Sequence, residues 1–211
     1  MIVSNAGFVN ALLAEQVVIA ALGDSLTQGY GLPQEDGFVP QLQAWMIGQG
    51  ADVRVINAGV SGDTTAGGLA RVAWTLTPEV DAMIVTLGGN DLLRGLGPAQ
   101  ARANIEGILQ AAQAAQVEVL LVGMQAPLNF GAVYKTQFDA IYPELSMAYG
   151  TGYADSFFTG LAEGNEGFEP AALQQWFQAD GIHPNREGVG RIVAGLGPHV
   201  LALQAAVEAA Q

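Results

Sequence analysis

The sequence contains no cysteine. Disulfides, thiolate nucleophiles and Cys-based zinc or iron–sulfur sites are therefore excluded, while the redox character of the compartment stays open. Positive charge is scarce as well. Seven Lys and Arg stand against 20 Asp and Glu, a formal net charge of −13. A surface of that sign repels phosphate backbones and anionic headgroups, so nucleic acid is not expected as a partner. No Lys or Arg precedes Arg54, and the basic start of an ordinary secretory signal is missing although an apolar Ala-Leu-Leu-Ala lies at 11–14. Residues 1–16 are accordingly read as an N-terminal extension or an atypical export segment. Long unbroken apolar runs are also absent. Stretches such as Val117 to Val122 are strand-sized, far below the roughly 18 to 20 residues of a membrane span, so no stable membrane insertion is expected.

What is present is a large apolar fraction. Half of the 211 residues are hydrophobic and the mean hydropathy is +0.29, enough for a dense core and opposed to disorder. The length suits one compact domain, expected over residues 17–211. Four apolar β-type runs, Val17 to Leu22, Val53 to Asn57, Ala82 to Leu87 and Val117 to Val122, are each followed by a turn and a helix-period segment. Such alternation predicts βαβ units and a mostly parallel sheet covered on both faces, an α/β fold. Pro98 suits the first turn of a helix running to about Ala115, and a closing helix is expected from Glu187 to about Val207. Between Phe157 and Ala179 only short helical turns within a long loop are expected.

In doubly wound sheets ligands bind beyond the carboxyl ends of the strands, which directs attention to the residues just after each run. Those segments are Gly23-Asp24-Ser25-Leu26, then Asn57 to Thr64, then Gly88-Gly89-Asn90-Asp91, with Asp180-Gly181-Ile182-His183-Pro184 near the C-terminus. A serine hydroxyl becomes a nucleophile only when a base takes its proton and a third group orients that base. Of the two histidines, His199 has no acid near it in sequence and reads as structural or surface. His183 follows Asp180 by three residues in a loop of turn formers, so the carboxylate can reach one ring nitrogen while the other faces Ser25. Helix capping by Ser25 and Asp180 explains the same residues equally well. For the oxyanion, the backbone N–H groups of Ser25 and Gly62 and the side-chain amide of Asn90 are candidate donors, although Gly62 alone also reads as a turn residue.

Competing chemistries fail on particular residues. A haloacid-dehalogenase-type phosphatase needs a second acid where Leu26 stands. A P-loop needs Lys where Gly68 stands. The Gly-x-Ser-x-Gly elbow fails because Asp63 occupies the place of its last glycine, so Ser61 is not the expected nucleophile.

Taken together, Gly-Asp-Ser-Leu, Gly62 in Ser-Gly-Asp-Thr, Asn90 in Gly-Gly-Asn-Asp and Asp180/His183 in Asp-Gly-Ile-His-Pro resemble, in order and spacing, the SGNH hydrolase (GDSL esterase) superfamily. The likeness is to its bacterial branch of arylesterases and multifunctional thioesterase/lysophospholipase enzymes, over nearly all of the chain from Val17. Asn57 to Thr64, Asn129 to Gly131, Ala140 to Pro143 and Gly181 to Asn185 extend it. The resemblance implies a three-layer α/β/α sandwich around a five-stranded parallel sheet, the flavodoxin-like SGNH fold, with neither metal nor cofactor. It implies Ser25 as nucleophile, His183 as base, Asp180 as its orienter, and Ser25, Gly62 and Asn90 as oxyanion donors, with Asp24 ordering the nucleophile turn from behind. Apolar Leu92, Leu93 and Pro127 would flank an acyl or aryl group. The expected activity is hydrolysis of aryl and short- to medium-chain acyl esters through an acyl-enzyme on Ser25, with thioesters and lysophospholipids as further substrates. A carbohydrate acetylesterase with the same residues is the alternative, although Trp45, Trp74 and Trp176 form no stripe and most of them read as packing residues. A non-catalytic acyl- or glycan-binding module would be expected to have lost one of Ser25, Asn90, Asp180 or His183. Relatives of this branch are commonly exported, which implies a periplasmic or secreted protein, with the cytoplasm as alternative. The oligomeric state is left open.

Overall fold

The seven residues of β1, Val17–Gly23, are all buried, which a strand achieves only in the middle of a sheet with both faces covered. β2, Val53–Gly59, lies outside it and shows the difference: Val53 and Val55 are buried while Arg54 is exposed. β3, Ala82–Thr86, and β4, Glu118–Val122, continue on the other side of β1, and β5, Gly152–Ala154, closes that edge. All pairings are parallel and the order is β2-β1-β3-β4-β5. The computed structural model describes residues 16–162 and 173–210.

Helices cover both faces. α1, Ser25–Gln28, and α2, Phe38–Gly48, follow β1, and α3, Thr65–Thr75, follows β2. α4, Gly89–Leu93, and α5, Pro98–Ala114, follow β3; α6, Ala132–Asp139, and α7, Ile141–Tyr149, follow β4; α8 is Thr159–Ala162. The closing helix spans Arg186–Ala210. It packs with α2 and α8 on one face, while α3, α5, α6 and α7 pack together on the other. This is the three-layer α/β/α sandwich that the sequence led us to expect.

The closing helix carries a finding that a search for unbroken apolar runs misses. It is long and apolar enough, by length and composition, to cross a membrane. Val189, Ile192, Val193, Leu196, Val200, Leu203 and Val207 form a buried stripe at helical spacing instead, used against the sheet and α2. Pro198 interrupts neither its course nor that stripe. β5 has no apolar run to reveal it, since only Ala154 of its three residues is buried. The expected extension at 1–16 lies outside the described residues except for Gln16. In the segment from Phe157 to Ala179 the described residues form α8 and the short turn Gln174–Trp176 with irregular chain beside them, and residues 163–172 lie outside the described residues.

The order of the strands places the site. From β1 the chain moves outward to β2, then crosses back to β3, so the connections leaving β1 and β3 diverge and open a crevice at their carboxyl ends. Gly23, the last residue of β1, pairs with Gly59 of β2 and Thr86 of β3.

Candidate active site

Gly23 decides how the chain leaves β1. A Cβ there would collide with the hydroxyls of Thr27 and Thr86, and those two side chains are hydrogen-bonded to each other. Only a residue without a side chain lets α1 fold back so closely over the sheet. Asp24 then caps α1, its Oδ1 accepting from Leu26 N at 3.0 Å, and Ser25 becomes the first helical residue. The capping alternative is thus realised by Asp24, which leaves the Ser25 hydroxyl available.

That hydroxyl lies 2.9 Å from Nε2 of His183. Nδ1 of the same ring lies 2.7 Å from Asp180 Oδ2, while Asp180 Oδ1 accepts from the N–H of Ile182 at 2.9 Å and of His183 at 3.0 Å. Asp180 therefore serves both readings of the sequence: one oxygen organises the turn and the other faces the imidazole. The His183 side-chain bond, followed by the two backbone N–H groups, holds the Asp180 carboxyl down at about 2. An ionised Asp180 accepts only, which assigns the Nδ1 proton to the ring and leaves Nε2 free to accept from the serine. The Tyr30 ring stands 4.5 Å from the imidazole, tilted by 36°. Gln178 ties this loop down, donating to Tyr30 O at 2.8 Å and Pro184 O at 2.9 Å. Neither Tyr30 nor Gln178 was singled out from the sequence, and no local pattern marks them.

The second half of the site is a buried polar network. Gly62 has φ +84°, a left-handed conformation that glycine adopts without strain. Among the described residues the N–H groups of Gly62 and Ser25 donate to no other group and both residues line the cleft. Asn90 also lines it, but its Nδ2 already donates to Asp24 Oδ2 at 3.2 Å and to Asp63 O at 3.0 Å. A carbonyl oxygen entering the cleft must share one of those hydrogens. Asp24 is almost fully buried, and desolvation pushes its carboxyl up to about 6 against the opposing pull of the Leu26 N–H, Asn90 and His183. Arg71 closes the network, bonding Asp63 at 2.6 Å, Ala58 O at 2.7 Å and Gly23 O at 2.8 Å. It therefore joins the ends of β1 and β2 to the Gly62 loop. Arg94 donates to Gly62 O at 2.8 Å. These two arginines were also invisible in the sequence.

Asp24, Ser25, Gly62, Asn90 and His183 line one cleft of ≈ 1110 Å³, with Leu92, Leu93 and Pro127 on its wall together with Met124, Phe130 and Phe158. His199 is exposed on the closing helix, away from this set. Ser61 also lines the cleft, with its hydroxyl bonded to Gln28. Among the described residues no three His, Asp or Glu side chains gather as metal ligands.

A flavodoxin-like sheet with a serine, an imidazole and a carboxylate in line at its switch point defines a serine hydrolase of the SGNH type. Residues 21–191 match the model of the GDSL-like Lipase/Acylhydrolase family, and the chain belongs to that family, a carboxylic-ester hydrolase. It is 38% identical over 191 residues to "Esterase TesA" of Pseudomonas aeruginosa, covering 89% of this chain and 90% of that protein. It is 37% identical over 168 residues to "Thioesterase 1/protease 1/lysophospholipase L1" of Escherichia coli, covering 79% of this chain and 74% of that protein. The crystal structure of AlinE4, a SGNH-hydrolase family esterase, superposes with a TM-score of 0.72 at 41% identity, covering 90% of this chain and 97% of that one.

Proposed function

We propose that Ser25 is the nucleophile, His183 the general base and acid, and Asp180 the group that orients it. The observation that carries this is the continuous line of hydrogen bonds, 2.7 Å from Asp180 to His183 and 2.9 Å from His183 to Ser25. Ser25 Oγ attacks the ester carbonyl as its proton passes to Nε2; the resulting imidazolium is stabilised by Asp180. Negative charge on the carbonyl oxygen is met by the N–H groups of Ser25 and Gly62 and by Asn90, with one amide hydrogen turned from its protein acceptor to the oxyanion. Collapse expels the alcohol, which takes the proton from His183. Water, activated by the same imidazole, then releases the acid and restores the serine.

The substrates are aryl and short- to medium-chain acyl esters, with thioesters and lysophospholipids in addition. This range is supported by the apolar wall around Leu92, Leu93 and Pro127 and by the names of the relatives. Against a sugar acetylesterase, no tryptophan lines the cleft among the described residues: Trp45 packs over Gly197 and Trp74 is exposed on α3. A non-catalytic role is opposed by the intact Ser25–His183–Asp180 line. We place the protein in the periplasm or outside the cell on the strength of the resemblance, with fractionation of expressing cells as the check, and expect neither nucleic-acid binding nor stable membrane insertion.

The test is a panel of nitrophenyl esters, acyl-coenzyme A thioesters and acetylated sugars, run on the wild type and on Ser25→Ala. Turnover of the aryl esters should fall to background in the variant while its melting temperature is retained, and a serine-directed phosphonate should add mass at Ser25 alone. Loss of activity in Ser61→Ala instead, or labelling elsewhere, would refute the assignment.

A further inference from the structure

Seven basic side chains serve a chain of net charge −13, and six of them have evident structural partners. Arg54, Arg71, Arg102, Lys135 and Arg186 each pair with a carboxylate. Arg191 lies over the Trp176 ring, 3.9 Å from its centroid. Arg94, exposed at the end of α4, has neither among the described residues. Among the described residues its side chain makes one hydrogen bond, from Nη2 to Gly62 O, and Nη2 lies 3.6 Å from where a Gly62 Cβ would stand. Among the described residues no carboxylate neutralises this guanidinium, which bonds the carbonyl of Gly62, the cleft-wall residue whose N–H is the proposed oxyanion donor.

Holding Gly62 O requires one N–H, and guanidinium offers five in a planar fork, so four remain directed to no acceptor among the described residues. That fork matches the oxygens of a phosphate, and among the described residues no carboxylate pairs with it. The rest of the molecule repels anions. Among the described residues, a cation without a carboxylate partner, bonded to a residue of the cleft wall, therefore favours a negatively charged substrate. The apolar wall of Leu92, Leu93 and Pro127 serves the acyl part and offers nothing to an anion.

Resting on the ester-hydrolase reading above, we propose that Arg94 binds a phosphate carried by the leaving alcohol of the substrate, separated from the scissile ester by a short linker such as the glycerol backbone. The linker length follows from placement. The guanidinium contacts the same residue that would hold the ester oxygen, so the phosphate it grips lies only a few bonds from the reacting carbon. A phosphate at the far end of a long arm, as in an acyl-coenzyme A, lies beyond it.

The experiment compares three substrates with one dodecanoyl chain, below their micelle concentrations: 1-acyl-glycerol-3-phosphate, 1-monoacylglycerol and acyl-coenzyme A. In Arg94→Gln, which keeps an N–H for Gly62 O and loses the charge, kcat/KM for the phosphate ester relative to the monoacylglycerol should fall by roughly tenfold to a hundredfold, the size of one or two charge-assisted hydrogen bonds. Arg94→Lys should recover part of that ratio, and salt should lower it in the wild type but not in Arg94→Gln. Acyl-coenzyme A should follow the monoacylglycerol. Equal losses on all three substrates would overturn the proposal and leave Arg94 as a tie for the Gly62 loop. So would a wild type that hydrolyses monoacylglycerol and not its phosphate ester, and a loss confined to acyl-coenzyme A would refute the short linker. The ester-hydrolase reading is judged separately, by whether the wild type turns over the neutral ester and Ser25→Ala does not.

Discussion

Replacing Asp24 by Asn removes a buried charge while keeping the shape of the side chain, and the consequence for stability depends on pH in a direction the structure fixes. The carboxyl is raised to about 6 in the folded protein from an ordinary value of 3.8. Between those values the folded chain holds a proton that the unfolded chain has released. Stability therefore decreases as pH rises through this window, and the full benefit is present only below the unfolded value. At about 1.4 kcal/mol per unit, the shift corresponds to about 3 kcal/mol lost between acid and neutral pH. The cause is burial that the hydrogen bonds from Leu26 and Asn90 only partly offset.

Urea unfolding of the wild type and of Asp24→Asn at matched pH values isolates this group, because the other acids titrate in both chains and cancel in the difference. The Asn side chain keeps an oxygen for Leu26 N but turns an NH₂ towards Asn90 Nδ2, a donor against a donor, which adds a cost of about 1–3 kcal/mol at every pH. Superimposed on that constant, the advantage of the wild type over the variant should shrink by about 2 kcal/mol from pH 4 to pH 7. A difference that stays flat, or one that grows with pH, would show that Asp24 is not a strained buried carboxylate, and the account of the network around Asn90 would fall with it.

Two further outcomes follow from the geometry. Asp180→Asn keeps an oxygen for the Ile182 and His183 N–H groups but loses the charge facing Nδ1, so the melting temperature should hold while kcat falls on the order of 10³–10⁴, as expected when the imidazole is no longer held in its working tautomer; a full-rate variant in steady-state assays would remove the orienting role. Asn90→Ala should lower kcat and kcat/KM together on the order of 10²–10³ with KM little changed, and a variant that raises KM alone would make Asn90 a binding residue rather than an oxyanion donor.

How much of this was legible in the sequence depends on the distance between partners. Asp180 and His183 are three residues apart, and the turn that joins them is written in Gly181 and Pro184. The fully apolar β1 and the spacing of later strands gave the sheet, while β5, a Gly-Tyr-Ala segment with one buried residue, gave no pattern to detect. Capping by Asp24 rather than Ser25 was not distinguishable, since either residue type fits the position. The ties that fix the oxyanion side span long separations: Arg71 reaches back 48 residues to Gly23, Arg94 reaches 32 to Gly62, and Asn90 reaches 66 to Asp24. No local periodicity encodes such pairs, and the same arginines would read as solvated charge wherever the fold did not bring them together.

The two halves of the site are consequently supported in different ways. Asn90 is held by half-buried bonds to Asp24 and Asp63, and the Gly62 loop is tied to the ends of β1 and β2 through Asp63 and Arg71, with the exposed Arg94 on the Gly62 carbonyl. His183 comes from a loop outside the sheet, and its position is referred to α1 itself. Tyr30 N bonds Ser25 O at 3.1 Å, the Tyr30 carbonyl accepts from Gln178, Gln178 N bonds His183 O at 2.8 Å, and the Tyr30 ring lies against the imidazole. The helix that presents the serine therefore also presents the platform for its base, so a small shift of α1 moves both partners together and preserves their 2.9 Å separation. The same shift would change the distance from Ser25 to Gly62 and Asn90, which is why the tight fit of α1 over Gly23, admitting no side chain, matters more to oxyanion geometry than to the Ser25–His183 bond.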